Sequence, residues 1–285
     1  MKILVTGSNG QLGSELQLLA FNRTDTEFLF TDYQELDITS KDAINRFVKQ
    51  ARPEWIINCA AYTSVDKAEA EPVAAHLLNA DAPGYLAAAA ASCGARMIHI
   101  STDYVFSGRN YRPYRESDPA APKGVYAESK ARGEINVMEA APDSIIVRTS
   151  WLYSAYGHNF VKTILRAGKE KGLLKVVADQ IGSPTWAHDL ANAILNLIDK
   201  NADGGFYHFS NEGVCSWYDF ARTIIEISGI QCKVVPTDTA GYHLPTPRPY
   251  YSVLDKSKYT TITHCEVPWW YDSLKKCLAL LNEQG

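Results

Sequence analysis

The 285-residue sequence lacks the features that mark several large classes of protein. No apolar run approaches the ~20 residues of a membrane-spanning helix, and the apolar start at 1–5 is too short for a signal-peptide core. With a net charge of −4 and no basic cluster, binding to nucleic acid or to an anionic membrane is not expected. The six cysteines form no CxxC pair, which favours a reduced, cytoplasmic chain. The seven histidines show no HxxxH or HExxH spacing, so no catalytic metal is predicted.

The chain does have a regular alternation of strand-like and helix-like segments over its first 150 residues. Such βαβα alternation predicts an α/β fold with a doubly wound parallel sheet. We expect a dinucleotide-binding domain at 1–150, completed by part of 188–210, and a smaller, mainly substrate-binding domain at 151–285. The predicted strands are 3–5, 27–30, 55–58, 97–100, 144–147 and 206–209. The predicted helices are 13–20, 40–50, 76–91 with a kink at Pro83, 125–140, 159–171, 188–199, 217–228 and 270–281, and the proline-rich stretch 236–250 is expected to be a loop.

A glycine-rich loop joins the first predicted strand to the first helix. Its glycines are spaced three apart, which permits a tight turn and a close approach of the backbone to a pyrophosphate at the helix N-terminus. Asp32 ends the second strand, where an acid binds ribose hydroxyls and favours NAD over NADP; an exposed loop acid is the equal alternative. Asp37 and Ile38 are candidates to flank the adenine. The candidate loop residues are Gly7, Asn9, Gly10, Gln11, Leu12 and Gly13.

Tyr126 and Lys130 form the second motif, because residues four apart share one face of a helix. A phenol is a poor acid-base catalyst at its usual pKa near 10, and a neighbouring ammonium is expected to lower that pKa. The tyrosine could then pass a proton to a carbonyl oxygen that receives hydride. Thr102 follows the predicted strand 97–100, so its hydroxyl is placed at the carboxyl edge of the sheet, where ligands bind in such folds.

Taken in this order, the glycine loop, the strand-end hydroxyl and Tyr-x-x-x-Lys resemble the extended short-chain dehydrogenase/reductase superfamily, which has a Rossmann-type fold. Six stretches narrow the resemblance to the dTDP-4-dehydrorhamnose reductase family. They are NCAAYTSVDKAE at 58–69, STDYVF at 101–106, VYAESKARGE at 125–134, RTSWLY at 148–153, DQIGSPT at 179–185 and RPYYSVLD at 248–255.

The resemblance implies reduction of the C4 ketone of dTDP-6-deoxy-L-lyxo-4-hexulose to dTDP-L-rhamnose by NADPH or NADH, for surface polysaccharide. It implies that Thr102, Tyr126 and Lys130 are catalytic. It also implies that Tyr126 and Lys130 bind the cofactor, with Lys130 holding the nicotinamide ribose. Arg248 is expected beside the substrate diphosphate, a structural ion pair being the alternative. The segment expected near the cofactor is Ala60, Ala61, Tyr62 and Thr63, and the residues expected to line the sugar are Thr102, Asp103, Tyr104 and Trp151.

Three departures from related sequences bear on function. Related dehydratases carry Thr-Asp-Glu where this chain has Thr102-Asp103-Tyr104, which favours a reductase because elimination of water needs that glutamate. Some family members bind magnesium between subunits through glutamates, and here Glu15 matches one position while His188 stands at a second. Tyr251 replaces an expected asparagine, which leaves substrate contacts there open.

Two other functions remain open at this point. The chain could reduce a different 4-keto nucleotide sugar. It could also be a non-catalytic nucleotide-binding subunit, since a regulatory subunit of methionine adenosyltransferase resembles the same family. A monomer or a homodimer is expected.

Overall fold

The computed structural model describes residues 1–241 and 246–283. Twelve β-strands lie in this part of the chain: β1 Lys2–Thr6, β2 Glu27–Thr31, β3 Trp55–Asn58, β4 Arg96–Thr102, β5 Ile145–Thr149, β6 Leu152–Tyr153, β7 Leu173–Val177, β8 Ile181–Gly182, β9 Thr185–Trp186, β10 Gly205–His208, β11 Cys215–Ser216 and β12 Lys233–Thr237. The α-helices of the same ranges are α1 Gln11–Ala20, α2 Lys41–Ala51, α3 Val65–Ala70, α4 Pro72–His76, α5 Ala82–Cys93, α6 Val125–Ala140, α7 Phe160–Glu170, α8 Ala187–Asp199, α9 Trp217–Ile227, α10 Ser257–Thr263 and α11 Trp270–Glu283. No helix in the described ranges is both long and apolar enough to cross a bilayer.

Six strands form a parallel sheet in the order β10-β5-β4-β3-β1-β2. The chain leaves β1 for β2 on one side of the sheet and later returns to place β3 on the other side. A crevice therefore opens at the carboxyl ends of β1 and β3, which is where ligands bind in doubly wound sheets. The predicted α/β class is confirmed, and the strand expected at 206–209 is the edge strand β10.

Both faces of the sheet are covered, as its continuous apolar strands require. Alternate residues of each strand point to opposite faces, so Ile3 and Val5 pack against α1 and α8 while Leu4 packs against α2 and α5. Tyr259 of α10 joins the first of these two cores. Residues from beyond position 187 thus complete one face of a sheet that begins at residue 2.

The second half of the chain builds three two-stranded pairings, β7 with β12, β8 with β11 and β6 with β9. Helices α7, α9 and α11 pack with them around a third core that contains Tyr153 and Phe220. The expected loop at 236–250 is wrong at its start, because Pro236 lies in β12, opposite Val176. A proline fits there since a two-stranded pairing has free edges. Positions 242–245 of the predicted loop lie outside the described residues.

The helix predicted at 76–91 is not continuous, and this interruption shapes the site. A π-helical turn at Leu77–Asp81 separates α4 from α5. Pro83 has no backbone N–H, so it cannot donate to the carbonyl of Asn79 four residues earlier. Helix α6 packs against that carbonyl at Gly133, where any Cβ would overlap the oxygen. The glycine therefore allows α6, with Tyr126 and Lys130, to lie close to this turn.

Candidate active site

The glycine loop has the geometry of an anion-binding turn. Gly7 has a φ of +67°, and a Cβ there would lie 2.6 Å from the backbone nitrogen of Ala60. Gly10 is the N-cap of α1 and no side chain caps this helix end, so its first N–H groups are available to a phosphate. Gln11 Oε1 is buried without a hydrogen-bond partner in the described part of the chain. The loop thus fits a dinucleotide pyrophosphate, whereas Leu12 is 4% exposed and packs in the core.

Asp32 lies against this loop, at the end of β2. Its carboxylate accepts hydrogen bonds from the N–H of Asn9 at 2.9 Å and of Tyr33 at 2.8 Å. The side chain is only partly exposed, and it holds the loop through the Asn9 contact. Asp37 instead accepts from the N–H and hydroxyl of Thr39, and Ile38 is 5% exposed within the core.

The segment 60–63 is fixed by a residue that the sequence did not single out. Asn79, fully buried in the π-helical turn, accepts from the N–H of Tyr62 at 2.8 Å and donates to its carbonyl at 3.0 Å. The same amide donates to Ser129 Oγ of α6 at 3.0 Å. Asn79 therefore ties the predicted cofactor segment to the catalytic helix. The only signal for it in the sequence is a polar residue four positions before a proline in an apolar run.

Thr102, Asp103, Tyr104 and Tyr126 come together at the carboxyl end of β4. The hydroxyl of Thr102 donates to Asp103 Oδ1 at 3.0 Å and accepts from the N–H of Tyr104 at 3.2 Å. The ring of Tyr104 meets that of Tyr126 edge-on, with centroids 5.5 Å apart. A 3-10 turn at Asp103–Val105, capped by Thr102, holds this arrangement. The hydroxyl, carboxyl and two phenols predicted from separate motifs thus form one cluster.

The expected lowering of the Tyr126 pKa by Lys130 is wrong in this structure. Burial raises the pKa of Tyr126 to about 12, an effect that the Thr102 side chain opposes. Lys130 Nζ donates instead to the carbonyl of Ile100 at 2.6 Å, and burial lowers the lysine pKa to about 8. Desolvation disfavours the charged form of each group. Tyr126 is consequently a neutral phenol at pH 7, which is the form that donates a proton.

Asp103 and Tyr104 differ from the acid pair of the dehydratases in their protonation. Burial raises the pKa of Asp103 to about 7, and Asp103 Oδ2 is buried without a hydrogen-bond partner among the described residues. Burial also raises the pKa of Tyr104. Tyr104 therefore stays protonated at neutral pH and cannot replace a glutamate as base.

Trp151 occupies a strained backbone conformation beside a second tryptophan. Its φ of +49° lies in the left-handed region, which costs a bulky residue on the order of 1–3 kcal/mol and is concentrated at functional sites. Its ring stacks on Trp217 with centroids 3.6 Å apart. A Cβ at Gly182 would lie 2.6 Å from the Trp151 ring. Trp217, on α9, was missed because 66 positions separate it from Trp151.

Arg248 takes part in an ion pair and also lines a groove. Its guanidinium contacts Asp66 at 2.8 Å, as the structural alternative predicted. The groove, with an empty volume of about 420 Å³, is lined by Tyr104, Arg109, Lys123 and Arg248 among others. Two further cations, Arg109 and Lys123, thus accompany Arg248 in the groove that begins at the Tyr104 ring.

Glu15 and His188, the positions compared with a magnesium site, contact each other. Glu15 is fully buried; one oxygen accepts from Ser154 Oγ at 2.6 Å and the other lies 3.2 Å from His188 Nδ1. Across 1–241 and 246–283, no three His, Cys, Asp or Glu side chains are grouped as a metal would require.

Tyr251, which stands in place of an expected asparagine, donates its backbone N–H to the carbonyl of Gly108 at 3.0 Å. Gly108 lines the groove that contains Arg248.

The fold and this cluster define the class of protein. A glycine loop at the switch point of a doubly wound sheet, with a Thr–Tyr–Lys set at its carboxyl edge, is the arrangement of an extended short-chain dehydrogenase/reductase. The family model described as the RmlD substrate binding domain matches residues 1–283. The chain belongs to this family, and the resemblance inferred from the sequence motifs is confirmed.

Individual relatives span the whole chain. A dTDP-4-dehydrorhamnose reductase of Aggregatibacter actinomycetemcomitans is 41% identical over 289 residues, covering 98% of each chain. The crystal structure of a dTDP-4-dehydrorhamnose reductase from Clostridium acetobutylicum is 44% identical, with a TM-score of 0.95 over 99% of this chain and 100% of the other. The corresponding enzyme of Bacillus anthracis, solved in complex with NADP, is 40% identical with a TM-score of 0.94, covering 98% and 99%.

Proposed function

We propose that this protein is a dTDP-4-dehydrorhamnose reductase, which reduces the C4 ketone of dTDP-6-deoxy-L-lyxo-4-hexulose with NADPH or NADH to give dTDP-L-rhamnose for polysaccharide synthesis. The observation that carries the proposal is the edge-on contact of the Tyr126 ring with Tyr104, next to Thr102 at the ligand-binding edge of the sheet. Burial of this phenol raises its pKa and so favours the protonated form. The full-length similarity to reductases of that name supports the choice of substrate.

The glycine loop, Asp32, the segment 60–63 and Lys130 would hold the cofactor. Two features of the chain fit such a group: the uncapped N-terminus of α1 and the backbone approach at Gly7 that leaves no space for a side chain. A bound nicotinamide dinucleotide supplies the hydride. We assign this binding to residues 1–150, completed by β10 and α8, and sugar recognition mainly to 151–285.

Tyr126 donates its proton to the ketone oxygen as negative charge develops there. Because its pKa is raised to about 12, the phenol is protonated when the substrate arrives. The Thr102 hydroxyl donates to Asp103 Oδ1 in the unliganded protein, and its proton would turn to the ketone oxygen when the substrate binds. Two donors at that oxygen stabilise the developing alkoxide. Carbonyl reduction requires a single proton donor, so the neutral Tyr104 is compatible with this chemistry, whereas water elimination would need a base in its place.

The substrate lies, in this proposal, across the two parts of the chain. Asp103, Tyr104 and Trp151 line the sugar, and the diphosphate occupies the groove where Arg248 lies with Arg109 and Lys123. Arginine is suited to phosphate because its planar donors bind two oxygens at once. Asp66, which contacts Arg248 at 2.8 Å, orients a guanidinium side chain that is only 14% exposed. We further propose that the protein is cytoplasmic and that it is a monomer or a homodimer. Light scattering of the purified protein would test its oligomeric state.

The test is to incubate the protein with enzymatically made dTDP-6-deoxy-L-lyxo-4-hexulose and follow the absorbance of NADPH and of NADH in parallel. Tyr126→Phe should lower kcat by about 100-fold or more, since general acid catalysis contributes 10²–10⁴-fold. Cofactor binding without turnover in the wild type would contradict the proposal. That result would favour another 4-keto nucleotide sugar as substrate, or a non-catalytic binding subunit.

A further inference from the structure

A buried chain of polar side chains crosses three strands of the sheet and ends at Lys130. Thr6 Oγ1 donates to Asn58 Oδ1 at 2.7 Å, and Asn58 Nδ2 lies 3.0 Å from His99 Nδ1. His99 Nε2 lies 3.5 Å from Lys130 Nζ. All four residues are at most 2% exposed. Most polar groups buried at this depth in proteins are paired, and the catalytic scheme above makes no use of His99.

The orientation of Asn58 follows from a backbone donor. The N–H of Ala60, which can only donate, lies 3.2 Å from Asn58 Oδ1. That atom must therefore be the amide oxygen, and it also receives the Thr6 hydroxyl. The amide nitrogen of Asn58 then faces His99 and can only donate. His99 Nδ1 must accept, so it carries no proton.

The tautomer of His99 decides what Lys130 meets. A neutral imidazole has one proton, and with Nδ1 bare that proton is on Nε2, pointing toward the lysine nitrogen. An ammonium group has three donors and no acceptor, so it would place N–H against N–H. An uncharged amine has a lone pair that can accept from Nε2. The second partner of Lys130, the carbonyl of Ile100 at 2.6 Å, accepts from either form.

We propose that His99 is a positioning residue for Lys130: held by Asn58 with its proton on Nε2, it presents an N–H to the lysine nitrogen and favours the amine over the ammonium. The proposal rests on the function proposed above, because that function gives Lys130 its role at the cofactor. The test of the proposal does not depend on that function. Burial lowers the pKa of His99 well below 6.5, which agrees with a neutral ring. With a lysine pKa of about 8, Lys130 has both its ammonium and its amine form populated near neutral pH.

Other ionisable groups lie near Lys130 and His99. Glu134, one turn along α6, raises the lysine pKa, but its carboxylate is bound by Arg148 of β5 through two hydrogen bonds of 2.8 and 2.7 Å. Cys59, next to Asn58, has a thiol whose pKa burial raises, so it is uncharged. Tyr126, one turn before Lys130, is neutral, and Asp103 acts on Tyr126.

The first measurement is the protonation of His99 in the unliganded protein. Histidine labelled with ¹⁵N gives separate signals for ring nitrogens with and without a proton, and His99→Leu assigns the signal. We expect Nε2 to be protonated and Nδ1 bare at pH 7. A proton on Nδ1, or on both nitrogens, would overturn the proposal.

The second measurement reverses the tautomer. In Asn58→Asp the carboxylate still accepts from Thr6 and Ala60, but it now requires a proton on His99 Nδ1, which leaves Nε2 as an acceptor for the ammonium. We expect the pKa of Lys130, followed by the ¹³Cε shift of labelled lysine and assigned with Lys130→Arg, to rise by one unit or more.

A double-mutant cycle separates this effect from the added charge. The same Asn58→Asp change in a His99→Leu background measures the carboxylate alone. An equal rise in the Lys130 pKa with and without His99 would refute the proposal. The expected result is a rise that is at least one pKa unit larger with His99 present, which is a further tenfold decrease in Ka. Both titrations use the protein without substrate or cofactor, so they stand even if the reductase assay shows no turnover.

Discussion

Asp103 should cost this protein stability at neutral pH, in a way that a single substitution can measure. The carboxyl is 3% exposed, and burial raises its pKa from 3.8 to about 7. Above pH 3.8 the unfolded chain loses this proton first, so the free energy of unfolding falls as pH rises until the folded state also ionises near pH 7. A shift of about three pKa units corresponds to ~4 kcal/mol at ~1.4 kcal/mol per unit.

Asp103→Asn removes the titration and keeps the shape. The amide oxygen can still accept from Thr102, while the amide nitrogen takes the place of Oδ2, which has no partner among the described residues. That orphaned donor costs ~1–3 kcal/mol, but the cost is the same at every pH. The free energy of unfolding of the variant, relative to that of the wild type, should therefore rise by ~3 kcal/mol between pH 5 and pH 8. This change with pH does not depend on which protein is more stable at pH 5.

Urea unfolding of both proteins at pH 5, 6, 7 and 8 would measure this difference. Urea is uncharged, so it does not screen the carboxylate. Asp143→Asn, at an exposed turn, is the matched control and should show a constant difference. A difference between Asp103→Asn and the wild type that does not change from pH 5 to pH 8 would refute the reasoning, because the carboxyl would then titrate alike in the folded and unfolded chain.

Two further substitutions test the cofactor and sugar sites. Asp32→Asn keeps an acceptor for the Asn9 N–H but removes the charge that repels a 2′-phosphate, so the ratio of kcat/KM for NADPH to that for NADH should rise about tenfold, or ~1.4 kcal/mol; an unchanged ratio in parallel assays would show that Asp32 does not meet the ribose. Trp217→Leu removes the ring stacked on Trp151 at 3.6 Å. An aromatic pair contributes ~0.5–1.5 kcal/mol, so KM for the sugar should rise up to about tenfold with the Kd for NADPH unchanged. Trp269→Leu, at an exposed position, should change neither the KM for the sugar nor the Kd for NADPH. An equal rise in KM in both tryptophan variants would contradict a specific role for the stack.

The parts of the fold that local sequence dictates were predicted well. The strand at 55–58 and the helix at 40–50 are both present. The helix is capped by Ser40, whose hydroxyl accepts from the N–H of Ala43. These features depend on side-chain periodicity and on hydrogen bonds within a few residues. The two-residue strands such as β8 and β11 were missed, because a pairing of that length has no periodicity and forms only where the third core brings the segments together.

The candidate site divides in the same way. The spacing of Gly7, Gly10 and Gly13 and the four-residue step from Tyr126 to Lys130 are local geometry. The sequence by itself therefore determined that a tight glycine turn before α1 and a tyrosine–lysine face on α6 exist. Helical spacing does not predict how deeply that face is buried, because the segments that cover it lie far away along the chain.

Only the tertiary structure decided the protonation of the site. The sequence argument expected Lys130 to lower the pKa of Tyr126, but burial raises it, because desolvation depends on every element packed around the phenol. The same holds for the contact of Lys130 with His99 and for the tie that Asn79 makes to α6. The sequence by itself determined which chemical groups are present and which of them lie on one local face; the packed fold decided which group faces which, and how deeply each is buried.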